Sequence, residues 1–269
     1  MHINTHVSDA LGWIGAGFER LAREPVRWLG MTLVYLVIAL LLKRIPFLGN
    51  FVLVLFTPIM LSGALLAIRS APRPAPADAR GWWRALTVDA ARELFQVFQR
   101  EDRAFAGVIT SIVTLGLVVL VNIPELLITG GSVVSGLAGA SMAGTMRPLT
   151  IVGMVVVAAL YLLLVTALFY LAPLTLFGNR QAIPAVAESF STCVRHRKSL
   201  ALFVTPFVGV DLAIMVAFSF SHLLGYLLVA TVGLVLLPVF VIAMHASYQT
   251  LFETSAASAS ARGKFVATP

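Results

Sequence analysis

The residue in this sequence most able to do chemistry is Asp211, set in PFVGVDLAIMVAF (206–218) with no Lys or Arg within ten residues on either side. An ionised carboxylate at the centre of a membrane helix costs about 2.5–3.5 kcal/mol on insertion scales. In neutral form an Asp donates one hydrogen bond and accepts others. Partners at a comparable depth are Thr32, Tyr35, Asn122, Tyr161 and Thr166. Asp211, Asn122 and Tyr35 form the candidate buried polar site. Two roles stay open for it. One is an interhelical hydrogen bond that fixes packing, worth about 0.6–2 kcal/mol. The other is a proton- or substrate-binding carboxylate in a polar cavity. Pro206, five residues earlier, frees a backbone carbonyl, as the broken helices of transporters do.

Other chemistry is sparse. The histidines are His2, His6, His196, His222 and His245, and none has metal-ligand spacing with a Cys, Asp or Glu. The sequence has no HExxH, P-loop, strand-to-helix GxGxxG or GxSxG elbow. The reading is therefore of a non-enzyme with no metal and no cofactor. Cys193 is the single cysteine and has no disulfide partner within the chain.

Composition sets what must position these residues. Of 269 residues, 59% are hydrophobic and 12% charged, with a mean hydropathy of +0.94. Soluble domains sit near 45–50% apolar and about 25% charged. So large an apolar excess predicts a single integral membrane domain over 1–269. Apolar runs place six spans near 28–45, 47–69, 104–124, 149–173, 199–220 and 225–249. Pro46, Gly49 and Asn50 predict a tight hairpin between the first two spans. SFSHLLG predicts another between the last two. The loop at 125–148 is rich in Gly, Ala and Ser, with Gly136, Ala140 and Gly144 at small-xxx-small spacing. Pro124 is expected to end the third span.

The net charge of +7 does not point to nucleic acid, because the basic residues flank apolar runs. Sixteen of the 19 Lys and Arg fall on one side of the predicted bundle. By the positive-inside rule that side is cytoplasmic and holds both termini. The N-terminal stretch lacks a basic segment followed by a clean apolar run, so it is not read as a secretory signal. It reads as an amphipathic interfacial helix with Leu11, Ile14, Phe18 and Leu21 on its apolar face.

Residues 70–103 form a cytoplasmic linker and interfacial helix. A Pro/Ala-rich stretch, APRPAPADAR, leads into GWWRALTVDAARELFQVFQRED. Asp89 is a candidate cap for a helix that buries Leu94, Val97 and Phe98. Trp82 and Trp83 beside Arg80 and Arg84 suit the headgroup level, where aromatic rings lie at the boundary and guanidiniums meet anionic lipid phosphates. Residues 252–269 read as a flexible cytoplasmic tail. A weak repeat runs through the chain. Phe18/Arg23, Phe95/Arg100 and Phe190/Arg195 each precede a pair of spans. It suggests three helical hairpins, each preceded by a cytoplasmic amphipathic interfacial helix.

The segments GWIGAGFERLAREPVRWLGMTLVYLVIALLLKRIPFLGNFVLVLFTPIMLSG and FYLAPLTLFGNRQAIPAVAESFSTCVRHRKSLALF resemble a family of uncharacterised proteobacterial inner-membrane proteins. The helix-plus-hairpin pattern is more distantly similar to the membrane domain that accompanies some glycerophosphodiester phosphodiesterases. The resemblance covers about half of the chain and implies an all-α inner-membrane fold. It carries over no functional residue, and the phosphodiesterase catalytic domain has no counterpart in this sequence. The expected function is a non-enzymatic envelope protein that handles a lipid or small solute. The alternative is a structural adaptor that binds another membrane protein.

Overall fold

The computed structural model describes residues 3–45, 48–73, 76–99, 101–129, 148–178 and 180–253. Among these the chain is all α, with no strand. Six helices are long and apolar enough to cross a membrane. Helix α1 (Ile3–Arg23) precedes α2 (Pro25–Lys43) and α3 (Leu48–Arg69). Helix α4 (Ala79–Arg84) runs through a π turn (Ala85–Asp89) into α5 (Ala90–Leu94). A 3-10 turn (Gln96–Gln99) then leads to α6 (Glu101–Thr129). There follow α7 (Pro148–Leu168), α8 (Leu171–Phe177), α9 (Ala182–Arg195), α10 (Arg197–Phe220) and α11 (His222–Tyr248). A π turn (Gln249–Glu253) closes the described chain.

Prolines explain two departures from the expected spans. The fourth span is not continuous, because α7 stops at Leu168 and α8 resumes at Leu171. Pro173 has no N–H to donate, and its ring crowds the carbonyl four residues back, at Phe169. The side chain of Ser189, from α9, mends the gap. Its Oγ accepts from the Tyr170 N–H at 3.0 Å and donates to the Thr166 carbonyl at 3.0 Å. One hydroxyl thus stands in for the missing Tyr170-to-Thr166 ladder bond. Pro124, in contrast, does not end its helix, and α6 continues to Thr129. A proline within a membrane helix removes one ladder bond without forcing a stop.

Most of the core lies toward the arginine-rich ends of the helices. Trp28, Met60, Leu65, Leu171, Phe203, Val239 and Met244 are all fully enclosed there. Phe203 stacks on Phe240 at 5.6 Å and meets Trp13 edge-on at 6.1 Å. The opposite halves of α10 and α11 expose Leu212, Val216, Phe220, Leu223 and Leu224. That surface is suited to hydrocarbon.

Helix α1 packs directly on α11 and α10. Its buried stripe is Ala10, Trp13, Gly17 and Leu21, whereas Leu11 is 63% and Phe18 46% exposed. The apolar face expected from the sequence is therefore rotated. Small residues at 10 and 17 let the helices approach, and a Cβ on Gly17 would lie 2.7 Å from the Val239 carbonyl oxygen. Trp13 fills the remaining gap and donates from Nε1 to Thr250 Oγ1 at 3.0 Å.

The helix before the third span also starts elsewhere than expected. Asp78, not Asp89, is the cap. Asp78 has extended backbone after the Pro/Ala linker, and its carboxylate accepts from the Gly81 N–H at 3.0 Å. Asp89 lies inside a continuous helical run and makes no cap bond. Leu94 and Val97 are buried, while Phe98 is exposed. At the C-terminal end, Phe252 packs against Tyr170 and Tyr248, and Glu253 pairs with Arg69. The first two residues of the expected tail are thus fixed. Residues 254–269, and the part of the expected loop at 130–147 that holds Gly136, Ala140 and Gly144, lie outside the described residues.

Gly63 shows where helix contact is tightest. A Cβ there would stand 1.9 Å from the Leu94 carbonyl oxygen and 2.9 Å from that of Glu93, both backbone atoms. Gly63→Ala is expected to cost about 1–3 kcal/mol through overpacking. Gly116, where a Cβ would meet nothing within 4 Å, is the matched control. Gly116→Ala should stay within about 1 kcal/mol of wild type. Unfolding midpoints of both variants in mild detergent check the contrast, and equal midpoints would refute the close approach.

Candidate functional site

The structure does not assemble Asp211, Asn122 and Tyr35. Asp211 is exposed on α10. Asn122 Nδ2 donates to the Val118 carbonyl at 2.7 Å, and its Oδ1 accepts from the Tyr161 hydroxyl at 3.3 Å. The Tyr35 hydroxyl lies 3.4 Å from Thr57 Oγ1. Packing explains the separation. Helix α10 lies chiefly against α11 and α1, not against the α2 and α6 that carry Tyr35 and Asn122. The expected buried polar site is corrected to two unrelated hydrogen-bonded pairs and one exposed acid.

A different set of charges does come together, at the arginine-rich end. Pro25 opens α2 at a position where its missing N–H costs nothing, and so places Arg27 on the first turn. Gly30 lets the π turn sit on α2, since a Cβ there would be 3.0 Å from Leu86 Cα. Gly63 lets the end of α5 sit on α3. These two close approaches bring Glu93 to Arg27. Arg27 Nε donates to Glu93 Oε2 at 2.7 Å and Nη1 to Glu24 Oε2 at 2.8 Å. Its Nη2 donates to Ser70 Oγ at the end of α3. The guanidinium also stands 5.9 Å from the Trp28 ring centroid.

Two further arginines flank this centre. Arg20 Nε is 3.1 Å from Glu24 Oε1, and Arg73 Nη1 is 2.7 Å from Glu93 Oε1. Both contacts are ion pairs whose angles fall short of hydrogen bonds, so these two carboxylate oxygens are neutralised without being fully satisfied. Glu24, Arg27 and Glu93 are each less than 8% exposed. Three charged side chains this deep are tolerable only because each is paired.

Beside the network lies a cavity of about 360 Å³. Its charged lining is Arg23, Glu24, Arg27, Arg73, Arg84, Asp89 and Glu93. Trp82, Pro25, Val26, Pro76 and Ala85 supply apolar wall. Of the four expected interfacial residues, Trp82 and Arg84 line this cavity, whereas Arg80 and Trp83 are exposed outside it. The lining holds no His, Cys, Ser or Lys among the described residues. Its groups suit binding of a charged ligand more than proton transfer.

The sequence reading missed Glu24, Arg27 and Glu93 as a unit. A signal was present. Glu24 and Arg27 have i,i+3 spacing at the foot of an apolar run, and Glu93 sits between the apolar residues Ala90 and Leu94. The 66-residue separation of Arg27 and Glu93 hid the pairing.

Elsewhere the polar groups have structural partners. His245 Nε2 accepts from Arg69 Nε at 3.4 Å and packs edge-on to Phe177 at 5.5 Å. Arg69 lies 3.6 Å above the same ring, so one arginine joins α3, α8 and α11. Cys193 is buried, and burial pushes its thiol up to about 11. Among the described residues no three His, Cys, Asp or Glu side chains gather as a metal site.

Removing Arg27 leaves two buried carboxylates with reduced compensation. Arg27→Met is expected to destabilise the protein by about 3–5 kcal/mol. Adding Glu24→Gln and Glu93→Gln to it should recover more than half of that loss, since the uncompensated charge is then gone. Unfolding curves of the single and triple variants decide the matter, and a triple variant less stable than the single one would refute the account.

No family model, curated protein or solved structure matches the chain, so the reading of this site rests on its own geometry.

Proposed function

We propose that this chain is a multi-pass protein of a bacterial inner membrane, with both termini cytoplasmic, that binds a membrane phospholipid by its headgroup and performs no chemistry on it. In this reading the six spans form three hairpins. Helices α1, α4–α5 and α9 lie at the cytoplasmic interface ahead of them. Membership of the inner-membrane family that the sequence resembles belongs to the same proposal. The observation that carries it is the arginine-lined cavity beside the Arg27 network. Arg23, Arg73 and Arg84 keep 66%, 55% and 65% of their side chains exposed. Each guanidinium presents five N–H donors, and its fork matches phosphate oxygens. The cavity opens beside the first turn of α2, at the level where a span leaves hydrocarbon for headgroups. Trp82 in its wall has the amphipathic character favoured at that level.

Native mass spectrometry of protein released from nanodiscs tests this reading. Wild type is expected to retain phospholipid. Arg73→Gln with Arg84→Gln should lose at least about tenfold in retention, the effect of two lost charge-assisted bonds. Undiminished retention by the double variant would overturn the reading.

One observation favours a second role, as an adaptor for another membrane protein. Asp211 stands exposed on a spanning helix, where hydrocarbon offers it no partner. A partner helix carrying a cation or a hydrogen-bonding side chain would supply one. This role predicts that a single protein copurifies stoichiometrically with wild type and is lost with Asp211→Leu. Copurification that survives Asp211→Leu would remove Asp211 from the interface.

A further inference from the structure

We infer that the cavity selects a glycerophospholipid whose headgroup carries a primary ammonium beside its phosphate, with Asp89 as the group that reads the ammonium. This inference rests on the phospholipid reading above and names the lipid class. Its basis is the unequal way in which the carboxylates of the cavity are used.

Glu24 and Glu93 are already committed. Each gives one oxygen to a hydrogen bond from Arg27 and the other to an ion pair with Arg20 or Arg73. Both are buried in the floor. Asp89 is different. Its side chain is 30% exposed, and its contacts with cations are long, 3.5 Å to Arg84 Nε and 4.0 Å to Arg92 Nη1. Neither is a hydrogen bond by distance and angle. Asp89 sits within the π turn, so its carboxylate is not spent on capping a helix. The cavity therefore offers one loosely held carboxylate facing the same space as three exposed guanidiniums.

A ligand that satisfies both signs must itself be zwitterionic. A phosphate monoanion engages the exposed arginines. Arg73 spends one nitrogen on Glu93, Arg23 one on Glu19 and Arg84 one on Asp89, and each keeps donors to spare. A primary ammonium on the same headgroup donates to Asp89. A purely anionic headgroup would meet the arginines but bring no cation to Asp89, which would keep only its long contacts to Arg84 and Arg92. A quaternary ammonium would bring charge without an N–H to donate. The arrangement thus ranks the three headgroup types, with phosphoethanolamine first.

The test uses the full-length protein in nanodiscs of equimolar phosphatidylethanolamine, phosphatidylglycerol and phosphatidylcholine with matched acyl chains. Retained lipid is identified by native mass spectrometry. Wild type is expected to retain phosphatidylethanolamine over each of the others by about tenfold, the effect of one charge-assisted hydrogen bond. Asp89→Asn should lower phosphatidylethanolamine retention to parity with phosphatidylglycerol, whose own retention stays as in wild type. Asp89→Glu should restore much of the preference. An unchanged unfolding midpoint for Asp89→Asn shows that the variant is folded. Equal retention of the three lipids by wild type, or a preference that survives Asp89→Asn, overturns the inference while the phospholipid reading stands. Retention that Arg73→Gln with Arg84→Gln leaves intact sinks both.

Discussion

Arg27, clasped between Glu24 and Glu93, is the interaction on which the rest of the arginine-rich end depends. It joins the α1–α2 junction to α5 and, through Ser70, to the end of α3. In lipid, apolar side chains gain little from leaving hydrocarbon for one another. Helices there need directional contacts or close backbone approach to choose partners. The Arg27 network gives direction, and Gly30 and Gly63 give the approach. Each requires the other. Without the glycines Glu93 would not reach Arg27, and without Arg27 the buried Glu24 and Glu93 would each lose a hydrogen-bonded cation and keep a single ion pair.

The same logic recurs in other polar contacts between the helices. Ser189 bridges the break before α8, and the Tyr170 hydroxyl meets Ser247 Oγ at 2.9 Å. Thr110 Oγ1 lies 3.0 Å from Thr175 Oγ1. Arg69 ties α3 to α8, α11 and the closing π turn. These contacts all lie toward the arginine-rich end, as does most of the aromatic core. The far halves of α10 and α11 have little besides each other. The directional contacts that choose helix partners are therefore concentrated toward the arginine-rich end.

How much of this was legible in the sequence follows from the range of each signal. Apolar run length is local, so the spans were readable apart from the ends set by proline. Pro173 broke its helix and Pro124 did not. The difference lies in neighbours. Ser189 stands ready to take the freed groups at Tyr170 and Thr166. The face of α1 was misread because hydrophobicity alone ranks Leu11 and Phe18 above Ala10 and Gly17, whereas close packing on α11 demands the small residues. The site was least legible. Asp211 stood out because its surroundings in sequence were apolar, yet α10 turns it outward. Glu93 did not stand out, because its surroundings in sequence were ordinary and its partner lay in another helix.

That inversion bears on how charge is used in this chain. A lone acid in an apolar run marks a place where sequence and environment disagree, but it does not say what resolves the disagreement. A paired acid resolves it within the fold and leaves its neighbours free. Once Arg27 has absorbed Glu24 and Glu93, Arg23, Arg73 and Arg84 are not all needed to neutralise buried charge, and their exposed guanidiniums face the cavity. The structural network and the wall of the cavity are thus one arrangement. The buried arginine holds the carboxylates in place, and the proposed ligand, one that brings both signs of charge, would meet the outer arginines and Asp89.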